Sequence, residues 1–307
     1  MAKRIARILL FSDPHFSVDS KIEEEKWFPP ICSLLSRFSD KMVERFLRFW
    51  DNITQKAFVK MLKVSKHYAP YNFVVGLGDY TPGANESGML TFKTVEQYRK
   101  FENILNSFPD IPRLLVWGDH DVGYCFNVSG KTGVKIGTEQ GGVSVASVKA
   151  AEKLIGPPFG EMDIGPAKFI YLSTNLVRNV GESSDAFLRE LKAEQESRIA
   201  DMLWKSQSRL NFLLLHDPTA ILPGTRMWRI IDSHRGRITA IIHGHLHAGF
   251  FARLTRVFYK PYQCLCEKYE VILVPAPWGM FGVGGGFLIL NLFDDGSYQI
   301  EKHKIKQ

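Results

Sequence analysis

Short apolar runs recur along the chain and alternate with longer amphipathic stretches. Apolar runs bounded by polar or turn residues are typical of buried strands. They predict strands at 4–12, 71–78, 113–118, 168–174, 211–216, 238–244, 252–259, 268–276 and 286–293. The Asp-Gly pair at 295–296 lies between the last run and another strand-like segment, which predicts a β-hairpin.

Two segments show the spacing of an amphipathic helix. Residues 184–206 begin with a Ser or Asp cap and carry a face of mixed charge, and residues 40–63 place apolar side chains three and four positions apart. The helix at 40–63 lies within a helical insertion, residues 20–70, between the first two strands. Alternating strands and helices predict an α/β layered sandwich, and we expect residues 1–307 to form a single domain.

Composition narrows the class of protein. The chain is 45% apolar and carries a formal charge of +7, which favours a folded protein with anionic partners. Its four cysteines are too few for a disulfide framework, so we expect a reducing, cytoplasmic location. We interpret Cys264 and Cys266 as alternating strand residues. The N-terminal apolar run is too short for a signal peptide, and no run reaches the roughly 20 apolar residues of a spanning helix.

Polar clusters follow five of the predicted strands, each where the strand ends. They are Asp13-Pro14-His15, Gly78-Asp79, Gly118-Asp119-His120-Asp121, His216-Asp217 and Gly244-His245-Leu246-His247. The carboxyl ends of neighbouring strands in an open α/β sheet converge on one crevice, so we expect these side chains to meet. Their mixed oxygen and nitrogen donors suit zinc, manganese or iron. The candidate ligands are too many for one tetrahedral ion, but they suffice for two ions that share a carboxylate, an arrangement used in phosphoryl transfer.

In this order, the blocks D-P-H, G-D, G-D-H-D, H and G-H-L-H resemble the calcineurin-like metallophosphoesterase superfamily. The usual pattern of that superfamily is D-x-H, G-D, G-N-H-D/E, H and G-H-x-H, and the matching blocks run from residue 13 to residue 247. The resemblance implies a four-layer α/β/β/α sandwich. It also implies two divalent metal ions and metal-dependent hydrolysis of phosphomonoesters, phosphodiesters or pyrophosphates.

The resemblance further implies roles for individual residues. The first metal ion would be bound by Asp13, His15, Asp79 and His247, and the second by Asp79 as a bridge together with Asp119, His216 and His245. His120 would stabilise the charge of the phosphoryl group or protonate the leaving oxygen, and Asp121 would orient His120 and support its protonated form. We interpret His243 as a strand residue and not a ligand, although strand alternation gives it the same side as His245 and His247.

One departure from the family pattern changes the charge at this site. Family members usually have Asn where this chain has Asp119. A carboxylate adds a negative charge that the Asn amide lacks. We therefore expect tighter binding of metal and weaker attraction of an anionic phosphate, unless nearby Lys or Arg side chains offset the loss.

Two segments are candidates for substrate contact. Residues 130–142 lack the upstream glycine and strand of a P-loop, so we interpret them as a substrate loop in which Lys131 and Lys135 contact phosphate. Residues 21–70 contain ten Lys or Arg against six Asp or Glu, and Trp27, Phe46 and Trp50 lie among them. Such segments are typical of a membrane interface or an acyl-chain groove. The alternative is an ordinary helix whose apolar stripe packs into the core.

The sequence therefore predicts a two-metal hydrolase of a phosphodiester or pyrophosphate bond, with manganese favoured over iron or zinc. We expect a phosphorylated, lipid-linked small molecule as substrate and a peripheral position on the inner membrane face. One branch of the superfamily fits these features: its members hydrolyse UDP-2,3-diacylglucosamine and are basic peripheral membrane proteins with apolar insertions. Three alternatives stay open, namely a soluble nucleotide phosphodiesterase, a nuclease, and a non-catalytic scaffold with this fold.

Overall fold

Twelve strands and eight α-helices make up the part of the chain that the structure, a computed structural model, describes. The described residues are 2–16, 40–81, 92–106, 111–122, 127–129, 133–135, 143–182, 184–247, 249–278 and 285–305. The strands are β1 (Arg4–Phe11), β2 (Phe73–Gly76), β3 (Arg113–Leu115), β4 (Asn127–Ser129), β5 (Gly133–Lys135), β6 (Gly160–Ile164), β7 (Ala167–Tyr171), β8 (Leu210–Leu215), β9 (Ala240–His243), β10 (Val271–Leu273), β11 (Gly286–Phe293) and β12 (Tyr298–Lys304). The helices are α1 (Asp40–Lys66), α2 (Phe92–Leu105), α3 (Val145–Leu154), α4 (Thr174–Asn179), α5 (Ala186–Lys205), α6 (Arg226–Ser233), α7 (Gly249–Phe258) and α8 (Lys260–Lys268).

Two five-stranded sheets carry the fold, and β4 and β5 form a separate hairpin. Their strand orders are β12-β11-β1-β2-β3 and β10-β9-β8-β7-β6. In the first sheet β1, β2 and β3 are parallel, and in the second β7, β8, β9 and β10 are parallel. The outer pairings β12-β11, β11-β1 and β6-β7 are antiparallel. Parallel strands bring their carboxyl ends to one edge of the sheet, where a site can be assembled from several strands.

An apolar core lies between the two sheets. Leu10 of β1 and Val75 of β2 belong to one buried cluster with Phe212 and Leu214 of β8 and Ile242 of β9. These residues alternate along each strand, because successive side chains in a strand point to opposite faces of the sheet. The opposite faces are therefore free to bury their own apolar residues against helices.

Helices cover the outer face of each sheet. On the first sheet, Leu9 of β1 lies in one cluster with Phe58 of α1 and Phe101 of α2. On the second sheet, Leu213 of β8 lies in one cluster with residues of α5 and α6, among them Ile199. Two sheets between two helical layers give the four-layer α/β/β/α arrangement that the sequence predicts.

The last ten residues of α1 settle the alternatives for part of the insertion. Phe58, Met61 and Leu62 are buried, and the Phe58 ring centroid lies 5.6 Å from that of Phe11 and 5.2 Å from that of Phe101. This part of α1 is an ordinary core-packing helix, so these three side chains are not available to an acyl chain. The predicted substrate contacts lie outside the described side chains: Trp27, Phe46, Trp50, Lys131 and Lys135.

Two sequence interpretations near residue 260 are wrong. The predicted strand at 252–259 lies in helix α7 as far as Phe258, and Cys264 and Cys266, interpreted as strand residues, lie on helix α8. The apolar positions Leu254 and Phe258 are four residues apart, which is a helical period that a short run can hide.

None of the helices in the described ranges is long and apolar enough to cross a lipid bilayer.

Candidate metal centre

Two groups of donor atoms lie at the carboxyl ends of strands from both sheets. The first group is Asp13, His15, Asp79 and His247, and the second is Asp79, Asp119, His216 and His245. Within each group the donor atoms all lie within 4.8 Å of one another. The structure thus brings together all seven residues that the sequence marks as metal ligands, and the Asp79 carboxylate belongs to both groups.

In the first group, two imidazoles converge on one point. His15 Nε2 and His247 Nε2 lie 3.4 Å apart, and the two rings are nearly perpendicular. His247 Nε2 lies 3.2 Å from Asp13 Oδ1, and His15 Nε2 lies 3.6 Å from Asp79 Oδ2. Two imidazole nitrogens and two carboxylate oxygens therefore surround one small volume.

In the second group, His216 approaches two carboxylates. Its Nε2 lies 2.7 Å from Asp119 Oδ1 and 3.0 Å from Asp79 Oδ2, and His245 Nδ1 lies 3.5 Å from Asp119 Oδ1. On the other side of the His216 ring, Nδ1 lies 2.6 Å from the Leu77 carbonyl oxygen. Because a carbonyl can only accept, Nδ1 carries a hydrogen and Nε2 of the neutral ring keeps a lone pair for a ligand.

Several buried donor atoms of the two groups make no hydrogen bond. They are Asp13 Oδ1, Asp79 Oδ2, both carboxylate oxygens of Asp119, His216 Nε2 and His245 Nδ1. A buried carboxylate oxygen or imidazole nitrogen without a partner carries a desolvation penalty of about 1–3 kcal/mol or more. Coordination to a cation removes this penalty, and mixed carboxylate and imidazole donors suit divalent transition metals. The residues present therefore fit a pair of divalent ions that share Asp79.

The close charges also shift the pKa values of the group. Burial, and then the Asp119 carboxylate, raise the pKa of Asp79 well above its ordinary value. Burial alone would raise the pKa of Asp119 too, but the imidazoles of His245 and His216 outweigh it and lower that pKa well below the ordinary value. For His216, burial acts to lower the pKa, but the carboxylates of Asp79, Asp13 and Asp119 outweigh it. The pKa of His216 is therefore raised well above the ordinary value. Protons thus balance the charges here, and a divalent cation would displace them.

Backbone conformation marks the same residues. Among the described residues, the non-glycine positions with positive φ are Asp13, His15, Asp79, His245 and His247, with φ between 41° and 64°. The left-handed region costs side chains other than glycine of order 1 kcal/mol or more, and such strain concentrates at functional sites. The strain also has a geometric result, because the side chains no longer alternate as in a strand and can converge on one point.

His243 shows the effect of the backbone conformation of the residues that follow it. It is the last residue of β9 and is buried, with Nε2 2.9 Å from the Tyr262 hydroxyl and Nδ1 2.8 Å from the Gly244 carbonyl oxygen. Burial lowers its pKa to about 4. At Gly244 a Cβ would lie 1.8 Å from Ser12 Oγ, so only glycine fits where the chain leaves the strand. His243 is therefore held away from both donor groups, as its interpretation as a strand residue requires.

Asp121 binds the backbone of the two loops that carry ligands. Its carboxylate accepts hydrogen bonds from the N–H groups of Gly118 (2.8 Å), Asp79 (2.9 Å) and Tyr80 (3.0 Å). Burial raises the pKa of Asp121 to about 6, against the lowering effect of these bonds. Asp121 thus joins the loops after β2 and β3, while the expected support of the His120 ring stays a prediction.

His120 lies beside the first donor group. Its backbone N–H donates to Asp79 Oδ1 at 3.0 Å, and its Nε2 lies 3.5 Å from Asp79 Oδ2. The His120 ring centroid lies 4.8 Å from that of His15, at an interplanar angle of 75°. The imidazole is therefore close enough to the shared carboxylate to face a group bound there.

Three residues that support the ligands are assigned no role from the sequence. Trp278 donates from Nε1 to the Asp13 carbonyl oxygen at 2.8 Å, and its ring lies 4.8 Å from that of His247. Ser12 donates from Oγ to Asp13 Oδ2 at 2.5 Å. Asp217 pairs with Arg178 and has Oδ2 4.0 Å from Nε2 of the nearby ligand candidate His245. Asp217 belongs to a polar cluster that the sequence marks at a strand end, and the position of Trp278 after β10 is the signal that could have found it.

A match to a protein-family model agrees with this arrangement. A family model described as calcineurin-like phosphoesterase matches residues 6–249. A solved purple acid phosphatase, PPD1 from yellow lupin seeds, is 13% identical with a TM-score of 0.49, and the alignment covers 100% of this chain and 53% of the lupin chain. The structure of TT1561 from Thermus thermophilus is 11% identical with a TM-score of 0.44, covering 97% of this chain and 99% of that one.

The present chain thus spans about half the length of the lupin phosphatase. The comparison with curated proteins found no significant match. The family model, however, covers most of the chain and includes all seven donor residues. The chain belongs to the calcineurin-like phosphoesterase family.

Proposed function

We propose that the protein is a metal-dependent hydrolase of phosphoester bonds that uses two divalent ions. The observation that carries this proposal is the shared position of Asp79 in two compact donor groups, with unpartnered buried oxygens and nitrogens in both. We assign one ion to Asp13, His15, Asp79 and His247, and the other to Asp79, Asp119, His216 and His245. Manganese is favoured, and iron or zinc would accept the same donors.

When bound, a pair of divalent ions would lower the pKa of water and stabilise the attacking and leaving oxygens of a phosphoryl displacement. The residues of this chain supply the positioning. The Leu77 carbonyl fixes the tautomer of His216, and Asp121 fixes the loop backbone around Asp79. Little rearrangement is then needed when the ions and the substrate bind, which is the condition for electrostatic preorganisation.

His120 is the proposed catalytic residue. Its Nε2 faces the shared Asp79 carboxylate at 3.5 Å, so a phosphoryl group held beside Asp79 would lie within reach of the ring. A protonated imidazole there stabilises the developing charge on phosphate oxygen or gives its proton to the leaving oxygen. Asp121, one residue further on, is proposed as a positioning residue for this turn.

The proposed substrate has a phosphodiester or pyrophosphate group in a lipid-linked molecule such as UDP-2,3-diacylglucosamine. The net charge of +7 supports an anionic substrate, and the aromatic and basic segment that contains Trp27, Phe46 and Trp50 supports a lipid part. Lys131 and Lys135 are proposed phosphate contacts. The same features suit a cytoplasmic enzyme that works at a membrane surface.

Turnover of a soluble aryl phosphodiester, with manganese and with EDTA, tests the reaction class. The expected result is manganese-dependent hydrolysis that EDTA abolishes. His120→Ala should lower kcat by at least about a hundredfold while the bound metal stays at the wild-type level. Absence of metal-dependent turnover on this substrate and on a panel of lipid pyrophosphates would favour the alternative of a non-catalytic scaffold.

The lipid part is tested separately with point variants. Deletion of residues 24–66 is not suitable, because Phe58 and Met61 belong to the core and the variant would lose them. Trp27→Ala combined with Trp50→Ala should raise KM for a diacylated substrate and leave KM for the soluble diester unchanged. Equal KM values on the diacylated substrate for this variant and the wild type would contradict the lipid contact.

A further inference from the structure

Exposed apolar side chains cluster on a short stretch that follows the metal centre. Among the described residues, seven large apolar side chains are exposed, and four of them lie within six positions: Leu254, Val257, Phe258 and Tyr259. Val257 is 68% exposed and Phe258 is 79% exposed. Single exposed apolar residues are common on protein surfaces, but a contiguous group of them marks a site of interaction.

The geometry of α7 places these side chains together. Leu254, Val257 and Phe258 are related by steps of three and four residues, so they share one face of the helix. Ala252 and Thr255 of α7 are only half-buried. A helix of ten residues gains most of its stability from packing of an apolar face. Burial of the exposed apolar face of α7 against a partner would therefore stabilise the helix.

The charge on this stretch selects the kind of partner. Arg253, Arg256 and Lys260 are exposed, and residues 249–266 contain no Asp or Glu. Arg253 lies four residues before Val257 and three before Arg256, so the two Arg side chains lie on one flank of the apolar face. Basic residues beside an exposed apolar face are the composition of helices that lie in the interface of an anionic membrane.

We propose that residues 249–260 dock the protein on an anionic lipid surface. Val257 and Phe258 enter the boundary between headgroups and acyl chains, while Arg253 and Arg256 pair with lipid phosphates. Apolar burial and electrostatic attraction then act together, so binding requires both kinds of residue.

The position of α7 relates this surface to the metal centre. The helix begins at Gly249, two residues after His247. With a rise of 1.5 Å per residue, Phe258 lies about 14 Å along the helix from its start. A membrane bound to α7 would thus hold lipid headgroups within a short distance of the donor groups. A role of this surface in presenting substrate to the metal centre rests on the proposed lipid-linked substrate, whereas the docking itself can be measured without turnover.

Vesicle flotation with the full-length protein tests the docking surface. The wild type should bind vesicles of phosphatidylcholine with about one third phosphatidylglycerol, bind pure phosphatidylcholine weakly, and lose binding at high salt. Val257→Ser combined with Phe258→Ser should lower the partition coefficient at least about tenfold. Arg253→Gln combined with Arg256→Gln should lower the partition coefficient on anionic vesicles, with each substitution contributing a factor of about five.

Trp204→Ser provides the matched control, because Trp204 of α5 is 65% exposed on another helix. It should bind vesicles like the wild type, and thermal melting should show that all the variants fold. Failure of the wild type to bind anionic vesicles would overturn the proposal. The proposal would also be overturned if the Val257→Ser, Phe258→Ser variant bound vesicles as strongly as the wild type. The same holds if that variant keeps its vesicle binding and changes only the oligomeric state. A wild type that binds vesicles but hydrolyses neither the soluble diester nor the lipid pyrophosphates would contradict the proposed function and leave the docking surface unaffected.

Discussion

His216 Nε2 lies 2.7 Å from Asp119 Oδ1, and both side chains are buried at the carboxyl ends of strands from different sheets. The Leu77 carbonyl oxygen accepts a hydrogen bond from the other ring nitrogen of His216, so the orientation of the ring toward Asp119 is fixed. Asp119 therefore occupies a position in which its charge acts directly on the second donor group. It is also the position at which the family usually has Asn.

Asp119→Asn should weaken metal binding at the second donor group and improve the attraction of the anionic substrate. Removing one negative charge from a buried site should lower the affinity for manganese by about tenfold or more. KM for an anionic diester at saturating manganese should fall. A titration of turnover with manganese gives the first quantity, and Asp201→Asn, at an exposed residue, is the control. Unchanged manganese affinity in Asp119→Asn would remove Asp119 from the ligand set.

Trp278→Phe should loosen the first donor group without removing a ligand. The substitution deletes the hydrogen bond from Nε1 to the Asp13 carbonyl but keeps an aromatic ring beside His247. Loss of such a supporting contact typically costs about 10–100-fold in metal affinity or activity. Isothermal titration with manganese measures the effect, and Trp204→Phe is the control. If both variants bind manganese equally, Trp278 has only a packing role.

Manganese should raise the thermal stability of the protein. Each ion that binds the folded state at about 100 times its Kd adds about 2.7 kcal/mol to the free energy of unfolding, so two ions add about 5.4 kcal/mol. For a chain of this size we expect a rise in Tm of about 8 °C. Scanning calorimetry in manganese and in EDTA measures the difference. Asp79→Asn should lose most of the rise, because its carboxylate belongs to both donor groups; a full rise in that variant would show that manganese stabilises the protein elsewhere.

Phe58→Ala should destabilise the fold strongly. The Phe58 side chain is fully buried between α1 and the first sheet, and truncation of such a ring costs about 3–5 kcal/mol. Urea denaturation gives the change in the free energy of unfolding, and Lys56→Ala, on the exposed side of α1, should change it little. A cost below about 1 kcal/mol for Phe58→Ala would return this part of α1 to the candidates for an acyl-chain groove.

Short, local patterns in the sequence predict most of the core strands and the donor residues, whereas the two-sheet arrangement is implied by the family resemblance. Apolar runs such as 286–293 match their strands, and every ligand candidate follows such a run. The positive φ angles of His245 and His247 are not visible in the sequence, so the alternation rule leaves the side of His243 open. The contact of Trp278 with Asp13 joins residues 265 positions apart, and only the folded chain shows it.

The segment at 252–259 illustrates the opposite case. Its apolar residues fit a strand by composition and a helix by spacing, and a short run does not decide between the two. The helix that forms leaves Val257 and Phe258 exposed, which is a property of its place in the fold and cannot be read from residue types. The proposed lipid surface therefore emerges from the structure, whereas the sequence places its lipid contacts on residues 20–70.

Electron paramagnetic resonance of the manganese-loaded protein tests most directly whether two ions share Asp79. Two Mn²⁺ ions joined by one carboxylate are magnetically coupled, so the wild type with two equivalents of Mn²⁺ should give the spectrum of a coupled pair. Asp79→Asn should give the spectrum of isolated ions. If the wild type shows only isolated Mn²⁺ at every loading, the ions do not share Asp79 and the two-metal account is contradicted.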